Sequence, residues 1–301
     1  MTAVQGGNIL RKIVLAYNPV SGHAVFKKKL DWIISQFQQR GIALMPYRTR
    51  PDAMDDFADF VRSLEPEGII AAGGDGTVHI VANLMQHGKI DLPLGIIGSG
   101  TSNDFATYLG INTDLTSYID IIAERRTRPV DLGRVGDDYF INVASAGMMT
   151  DIAHEVNVRL KNALGKLAYY LKAVGEVPKI HPVSLSIEAD GQHYDANAYL
   201  FVVVNSSTVG SMKHIADDVQ VDDGLLDLLA IQNCSLAKLA GVTKDLLSGK
   251  SVAEKDAVIH IKASKFTIAA SEPLQSDLDG EVGPMLPLHI ETVKHALSVY
   301  C

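Results

Sequence analysis

Three short polar loops carry the residues of this chain best equipped for chemistry. The run Gly73-Gly74-Asp75-Gly76-Thr77 follows an apolar stretch and precedes a helical pattern. Glycines at a strand-to-helix turn free backbone N–H groups and let an anion approach the main chain closely. Asp75 would repel a bare phosphate, but it suits a phosphate site in which a divalent cation stands between the two. The chemistry indicated is binding of a magnesium nucleotide; the plain alternative is a tight turn in which Asp75 or Thr77 caps the helix. Two further loops repeat the theme. NPVSG offers Asn18, Ser21 and Gly22 after the first strand pattern, and GSGTSNDFA offers Gly98, Gly100, Thr101, Asn103 and Asp104 after a later one. The sequence has neither a G-x-G-x-x-G opening its first helix nor a G-x-x-x-x-G-K-[ST] loop, so Rossmann and Walker A sites are excluded. Near the end of the chain, QSDLDGEVG puts Glu281 in a polar turn between apolar strands.

These loops need a scaffold that brings them together. Residues 12–17, 42–47, 68–72 and 93–97 read as buried strands, and residues 26–40, 51–64 and 77–86 as helices between them. The alternation implies a parallel sheet covered on both faces, with the glycine loops at its carboxyl edge, where open α/β sheets bind ligands. After about residue 130 the pattern changes. VSLSIEADGQHYDANAYLFVVVNSS reads as a hairpin around Asp190-Gly191; LLDLLAIQ, AVIHIKASKFTIAA and MLPLHIETV add strands, and residues 236–247 an inserted helix. The predicted architecture is an α/β domain over residues 1–130 and an antiparallel β-sandwich domain over residues 131–301. The last ~10 residues are open to returning to the first domain.

Composition narrows the function classes. With 47% hydrophobic and 21% charged residues among 301, there is ample material for a buried core. A net charge of −8 excludes nucleic-acid binding by bulk electrostatics and requires a local basic patch for any anionic partner. The two cysteines, Cys234 and Cys301, are far apart and in no metal spacing, as expected in a reducing cytoplasm. The opening MTAVQGGNIL lacks the pattern of a signal peptide, and the longest apolar run, residues 198–204, is too short to span a bilayer. The expectation is a soluble, cytoplasmic protein that can still rest on a membrane surface. One stretch fits such contact: from Arg159 to Val174, Leu160, Leu164, Leu167 and Leu171 recur at helical spacing among Arg159, Lys161, Lys166 and Lys172. A basic amphipathic helix of this kind can lie on an anionic membrane or pack on the sandwich with its lysines solvated.

NPVSG, GGDGT, GTSNDFA, DDGLLDL and DLDGE occur in the order seen in the soluble bacterial diacylglycerol kinase and lipid kinase family, which the chain resembles over residues 18–281. The family is related to sphingosine and ceramide kinases and more remotely to NAD kinases. The resemblance implies an active site in the cleft between the two domains and ATP- and Mg²⁺-dependent phosphorylation of a lipid hydroxyl, with a membrane lipid as partner. It further implies ATP contacts at Asn18, Pro19, Val20, Ser21, Gly22, Thr49, Gly73, Gly74, Asp75, Gly76, Thr77 and Thr101, and a catalytic base at Glu281, with Asp75 serving the magnesium nucleotide. A structural metal is implied at Asp223, with Gln220 and Leu225 through their carbonyls, and a supporting network at Asp104 and Asp131. The chain departs from the family at one point: GGDGT-x-Asn-Glu becomes GGDGT-x-His79-Ile80.

Each site has a plainer reading. Glu281 could be a turn carboxylate, Asp223 part of an ordinary Asp-Gly turn and Asp104 a helix N-cap. Two other functions stay open: another kinase of the superfamily, acting on a sphingoid lipid or NAD, and an inactive nucleotide- or lipid-binding homologue, which His79 and Ile80 would favour.

Overall fold

The computed structural model describes residues 11–19, 25–49, 56–100, 102–111, 114–147 and 181–301. Val20, Ser21, Gly22, Thr101 and the basic stretch at 159–174 lie outside the described residues.

Four parallel strands, β1 (Arg11–Tyr17), β2 (Ile42–Arg48), β3 (Gly68–Gly73) and β4 (Leu94–Gly98), pair in the order β4-β3-β1-β2. Ile13, Val14, Leu15 and Ala16 of β1 and every residue of β3 are buried, as a sheet covered on both faces requires. Helices α1 (Val25–Gln39), α2 (Phe57–Leu64), α3 (Asp75–His87), α4 (Asp104–Tyr108) and α5 (Leu115–Ala123) complete this half. The register aligns the strand ends, with Tyr17 opposite Arg48 and Ala72, and Gly73 opposite Gly98. The carboxyl ends of all four strands therefore lie on one edge.

The following strands are antiparallel: β5 (Thr127–Val135), β6 (Asp138–Phe140), β7 (Val143–Gly147), β8 (Val183–Ala189), β9 (Gln192–Val204), β10 (Leu226–Gln232), β11 (Val258–Ala263), β12 (Lys265–Ala270), β13 (Gln275–Leu278), β14 (Glu281–Met285) and β15 (Leu288–Tyr300). The hairpin expected at Asp190-Gly191 joins β8 to β9, with both turn residues at positive φ (47° and 82°) and Ala189 opposite Gln192. Along β9, Phe201 and Val203 pack with Leu185, Ile187 and Phe266. Leu200, Val202 and Val204 face the other way, onto Val242 and Leu246 of α6 (Leu236–Leu247). The chain is thus an α/β half with a parallel sheet followed by a β-sandwich half.

The two halves share one hydrogen-bonded path, β14-β13-β7-β9-β8-β12-β15-β4-β3-β1-β2. The link is β15, which runs antiparallel to β12 and β5 and ends beside β4, with Val299 opposite Leu94. Tyr300 locks that end: its ring fills the space over Gly68, where a Cβ would stand 2.4 Å from the phenol oxygen. Its carbonyl accepts a hydrogen bond from the Tyr118 hydroxyl at 3.2 Å.

Pairing of β15 with β5 is interrupted between Val293 and Leu297, and buried Asp131 on β5 repairs the gap. Its carboxylate accepts the amides of His295 and Gly224, both at 2.6 Å, joining β5, the β15 bulge and the turn before β10. Asp131→Ala leaves two amides without an acceptor. We expect a loss of about 2–4 kcal/mol in stability, read as a lower urea midpoint at constant m. An unchanged midpoint would mean that the amides find other partners.

Candidate active site

The carboxyl ends of β1 to β4 gather the expected nucleotide loops. The Asn18 amide donates to the Ala72 carbonyl at 3.1 Å, and Pro19 follows it. Thr49, just past β2, donates both its amide (3.0 Å) and its hydroxyl (3.1 Å) to the Tyr17 carbonyl. The Ser99 amide reaches the Gly73 carbonyl at 2.8 Å. A Cβ on Gly100 would stand 2.7 Å from Gly74 Cα, so the two glycine loops touch backbone to backbone and only glycine fits there. Gly74 is the N-cap of α3, whose first turn contains Asp75, Gly76 and buried Thr77.

Asp75 and Asp104 form a relay between the halves. The Asp104 amide donates to Asp75 Oδ1 at 2.8 Å. The Asp104 carboxylate accepts the Gly210 amide at 2.6 Å and the Ser211 amide at 2.9 Å. Asp104 is therefore not the cap of α4; that place belongs to Asn103, and the Asp104 carboxylate instead ties α4 to the loop after β9. Burial first, then the nearby charges of Asp104 and Asp279, push the Asp75 carboxyl up to about 7. A buried carboxylate among other carboxylates is a fitting donor for a cation.

Asp75, His79 and Asn83 are four residues apart on α3 and share one face. That face meets the second half. The Asn83 side chain pairs with both backbone groups of Tyr139, at 2.8 Å each way. His79 Nδ1 lies 3.0 Å from the Asp279 carboxylate, which also accepts the amides of Ile141 (2.7 Å), Asn142 (2.9 Å) and Val143 (2.8 Å). Burial alone would lower the His79 pKa, but the hydrogen bond and charge of Asp279, with the charges of Glu281 and Asp138, outweigh it and leave the pKa raised. Two residues beyond Asp279, exposed Glu281 begins β14. Its Oε1 lies 3.4 Å from where a Cβ on Gly76 would stand. The two segments, distant in sequence, meet here. The sequence showed a helix over residues 77–86, but it singled out neither Asn83 nor the shared 75/79/83 face, and nothing in it marked Asp279 as the partner of that face.

The turn expected to hold a structural metal has a different charge balance. Asp223 accepts the Leu225 amide at 3.0 Å and faces the Lys262 ammonium at 3.2 Å. The same ammonium donates to the Asp218 carbonyl at 2.7 Å and lies 3.7 Å from Asp227. Gln220 and Leu225 lie in this segment, but among the described residues no cluster of three or more His, Cys, Asp or Glu side chains could hold a metal ion. The expected set, one carboxylate with the carbonyls of Gln220 and Leu225, is not a cluster of that kind, and a divalent ion there would share the Asp223 carboxylate with Lys262.

Comparison with known proteins agrees with this fold. Residues 12–135 match the diacylglycerol kinase catalytic domain, and residues 142–301 the YegS C-terminal NAD kinase beta sandwich-like domain. The diacylglycerol kinase of Bacillus subtilis is 35% identical over 285 residues, covering 92% of each chain. That of Staphylococcus carnosus is 32% identical over 289 residues, covering 95% of this chain and 94% of its own. The crystal structure of a diacylglycerol kinase from Bacillus anthracis superposes with a TM-score of 0.79 at 25% identity, covering 98% of each chain. The fold and its glycine-loop edge define a kinase of the superfamily shared with NAD kinases. Within it, the chain belongs to the diacylglycerol kinase family, whose members use a nucleotide.

The raised pKa of Asp75 has a sign that can be measured. A carboxyl whose folded pKa exceeds its unfolded value stabilises the fold while protonated. That contribution is complete below about 3.8, declines as pH climbs, and is gone above about 7. The melting temperature of nucleotide-free protein should carry a component that falls over this window, and Asp75→Asn should remove it. Identical pH profiles for the two proteins would contradict the assigned environment.

Proposed function

We propose that this protein is a lipid kinase that moves the γ-phosphoryl group of ATP onto the free hydroxyl of diacylglycerol, giving phosphatidic acid and ADP. The observation that supports the reading best is the approach of the Glu281 carboxylate to Gly76, 3.4 Å from where a Cβ there would stand, which brings a carboxylate of the sandwich half to the glycine loop of the α/β half. Residues 1–130 act as the nucleotide domain and residues 131–301 as the lipid domain.

ATP lies along Asn18, Pro19, Val20, Ser21, Gly22 and Thr49, with its phosphates over Gly73, Gly74, Asp75, Gly76 and Thr77 and a further contact at Thr101. The γ-phosphate then lies at Gly76, and the exposed Glu281 side chain draws back to admit it and the lipid hydroxyl. The lipid oxygen attacks phosphorus, the bond to the β–γ bridging oxygen breaks, and ADP leaves carrying the released electron pair. The hydroxyl proton passes to Glu281. An alcohol is a far weaker acid than a carboxylic acid, so transfer comes late, as the P–O bond forms, and positioning dominates the chemistry. Magnesium, held on the Asp75 side, supplies neutralisation of phosphate charge. The Asp223 turn keeps its balance through Lys262.

Val282 and Met285, large, apolar and exposed on β14 beside Glu281, offer the acyl end of the substrate apolar surface. Among the described residues no helix is long and apolar enough to cross a membrane. Docking on an anionic surface falls to the basic stretch at 159–174.

The direct test is transfer of labelled γ-phosphate to a panel of diacylglycerol, a sphingoid base, ceramide and NAD. Label only in phosphatidic acid is expected. Label in another acceptor would reassign the substrate, and no label despite intact ATP binding would mark an inactive homologue. Glu281→Gln keeps the shape and removes the proton acceptor, so turnover should fall about 10²–10⁴-fold with ATP affinity unchanged. Lost ATP affinity with normal turnover would make Glu281 a nucleotide contact instead. Changing Lys161, Lys166 and Lys172 together to Glu should weaken sedimentation with anionic vesicles by roughly 1 kcal/mol per residue, less at high salt. Unchanged sedimentation would refute docking through this stretch.

A further inference from the structure

His79 stands where the family pattern has asparagine, and its surroundings give it a role. Two side chains hold the 279–281 turn: Asp277 accepts the Gly280 amide at 2.6 Å, and the Asp279 carboxylate accepts three successive amides, of Ile141, Asn142 and Val143. The Asp279 amide in turn donates to the Val143 carbonyl at 2.8 Å. Asp279 itself has φ +50°, a left-handed conformation that a non-glycine residue keeps only when its partners fix it. These contacts anchor the turn within the sandwich half. His79 adds the bond from the α/β half, Nδ1 to Asp279 Oδ2 at 3.0 Å, with the imidazole largely buried and the carboxylate almost completely so.

The orientation of the ring follows from its neighbours. Asn83 uses both ends of its amide on Tyr139, so its flip state is fixed, and its NH₂ group also donates to the His79 carbonyl at 3.0 Å. Nδ1 faces the Asp279 carboxylate, which only accepts, so Nδ1 carries the hydrogen of that bond whether the ring is neutral or charged. His79 lies one helical turn after Asp75, and Glu281 lies two residues after Asp279. The His79–Asp279 bond thus spans from the helix that begins in the phosphate loop to the turn that launches the carboxylate.

We propose that His79 is a positioning residue for Glu281: by tying Asp279 to α3 it fixes the distance between the Glu281 carboxylate and the Gly76 loop. The inference rests on the reading of Glu281 as the base. Its role is carried by Nδ1–H, which an asparagine amide can imitate and an alanine cannot. On this account the asparagine of the family pattern and His79 are two solutions to one geometric requirement, and the substitution does not signal lost activity.

The test is a double-mutant cycle on the full-length protein, with ATP and a diacylglycerol dispersion, using His79→Ala, His79→Asn, Glu281→Gln and the His79→Ala/Glu281→Gln pair. Melting temperatures verify that each is folded. A misplacement of about 1 Å at a reacting group costs on the order of 10²-fold, so His79→Ala should lower kcat by about 10- to 100-fold while KM for ATP stays within about threefold. His79→Asn should recover most of kcat. In the Glu281→Gln background, His79→Ala should cost almost nothing further, because the group it positions is already gone. If the two losses multiply instead, His79 does not act through Glu281 and the inference is overturned. Wild-type kcat in His79→Ala, or a loss seen only in KM for ATP, overturns it as well. Those results leave the base standing when Glu281→Gln alone is impaired, whereas full turnover in Glu281→Gln removes the base and the inference together.

Discussion

The junction between the two halves of this protein depends on a polar seam between one helix face and one buried carboxylate. Asp75, His79 and Asn83 present side chains from α3 at four-residue intervals, and each finds a partner on or leading to the sandwich half. Asp279 is the centre of the seam, with four donors on its two oxygens. A buried carboxylate is tolerable only when it is paired in this way, since an unpartnered charge in a poorly solvated site is costly. The requirement works in both directions: the turn at 279–281 is placed because Asp279 must be satisfied, and the groups that satisfy it come from both halves of the chain.

The wider fold serves the same registration. The β15 strand makes the halves continuous through hydrogen bonds, and Asp131 compensates for its bulge with a side chain. Asp104 repeats the device beside the nucleotide loops by binding the amides of Gly210 and Ser211. Carboxylates on backbone amides recur at the junctions, where regular ladders stop and main-chain donors would otherwise lack acceptors. Burial raises the Asp75 pKa, and two neighbouring carboxylates, Asp104 and Asp279, lie close enough to raise it further.

The local elements were legible in the sequence because local rules made them. Unbroken apolar runs gave the parallel strands, Asp190-Gly191 gave the hairpin, and the glycine loops fell at the carboxyl edge as strand-to-helix turns must. The helix at 236–247 was readable to the residue, and the structure adds Ser235 as its N-cap, accepting the Lys238 amide. The pairings across the molecule were not legible. Asp279 looks like any turn aspartate until His79 is brought beside it from 200 positions away. Lys262 reads as a solvated lysine on a strand, and only folding brings it against Asp223 and the Asp218 carbonyl. Asp104 was readable as a cap because it opens a helix, but its acceptor oxygens went to distant amides. Periodicity and turn chemistry report on neighbours in the chain, whereas a charge pair between elements leaves no periodic trace.

The central claim is that the sandwich half delivers a carboxylate to the γ-phosphate held by the α/β half. The most direct measurement is a crystal structure of the protein with magnesium and a non-hydrolysable ATP analogue. The account predicts the terminal phosphate beside Gly76, with the Glu281 carboxylate facing it across a gap that admits one hydroxyl, and with the His79–Asp279 bond intact. A terminal phosphate bound away from Gly76, or Glu281 turned from it while the seam is closed, would contradict the account.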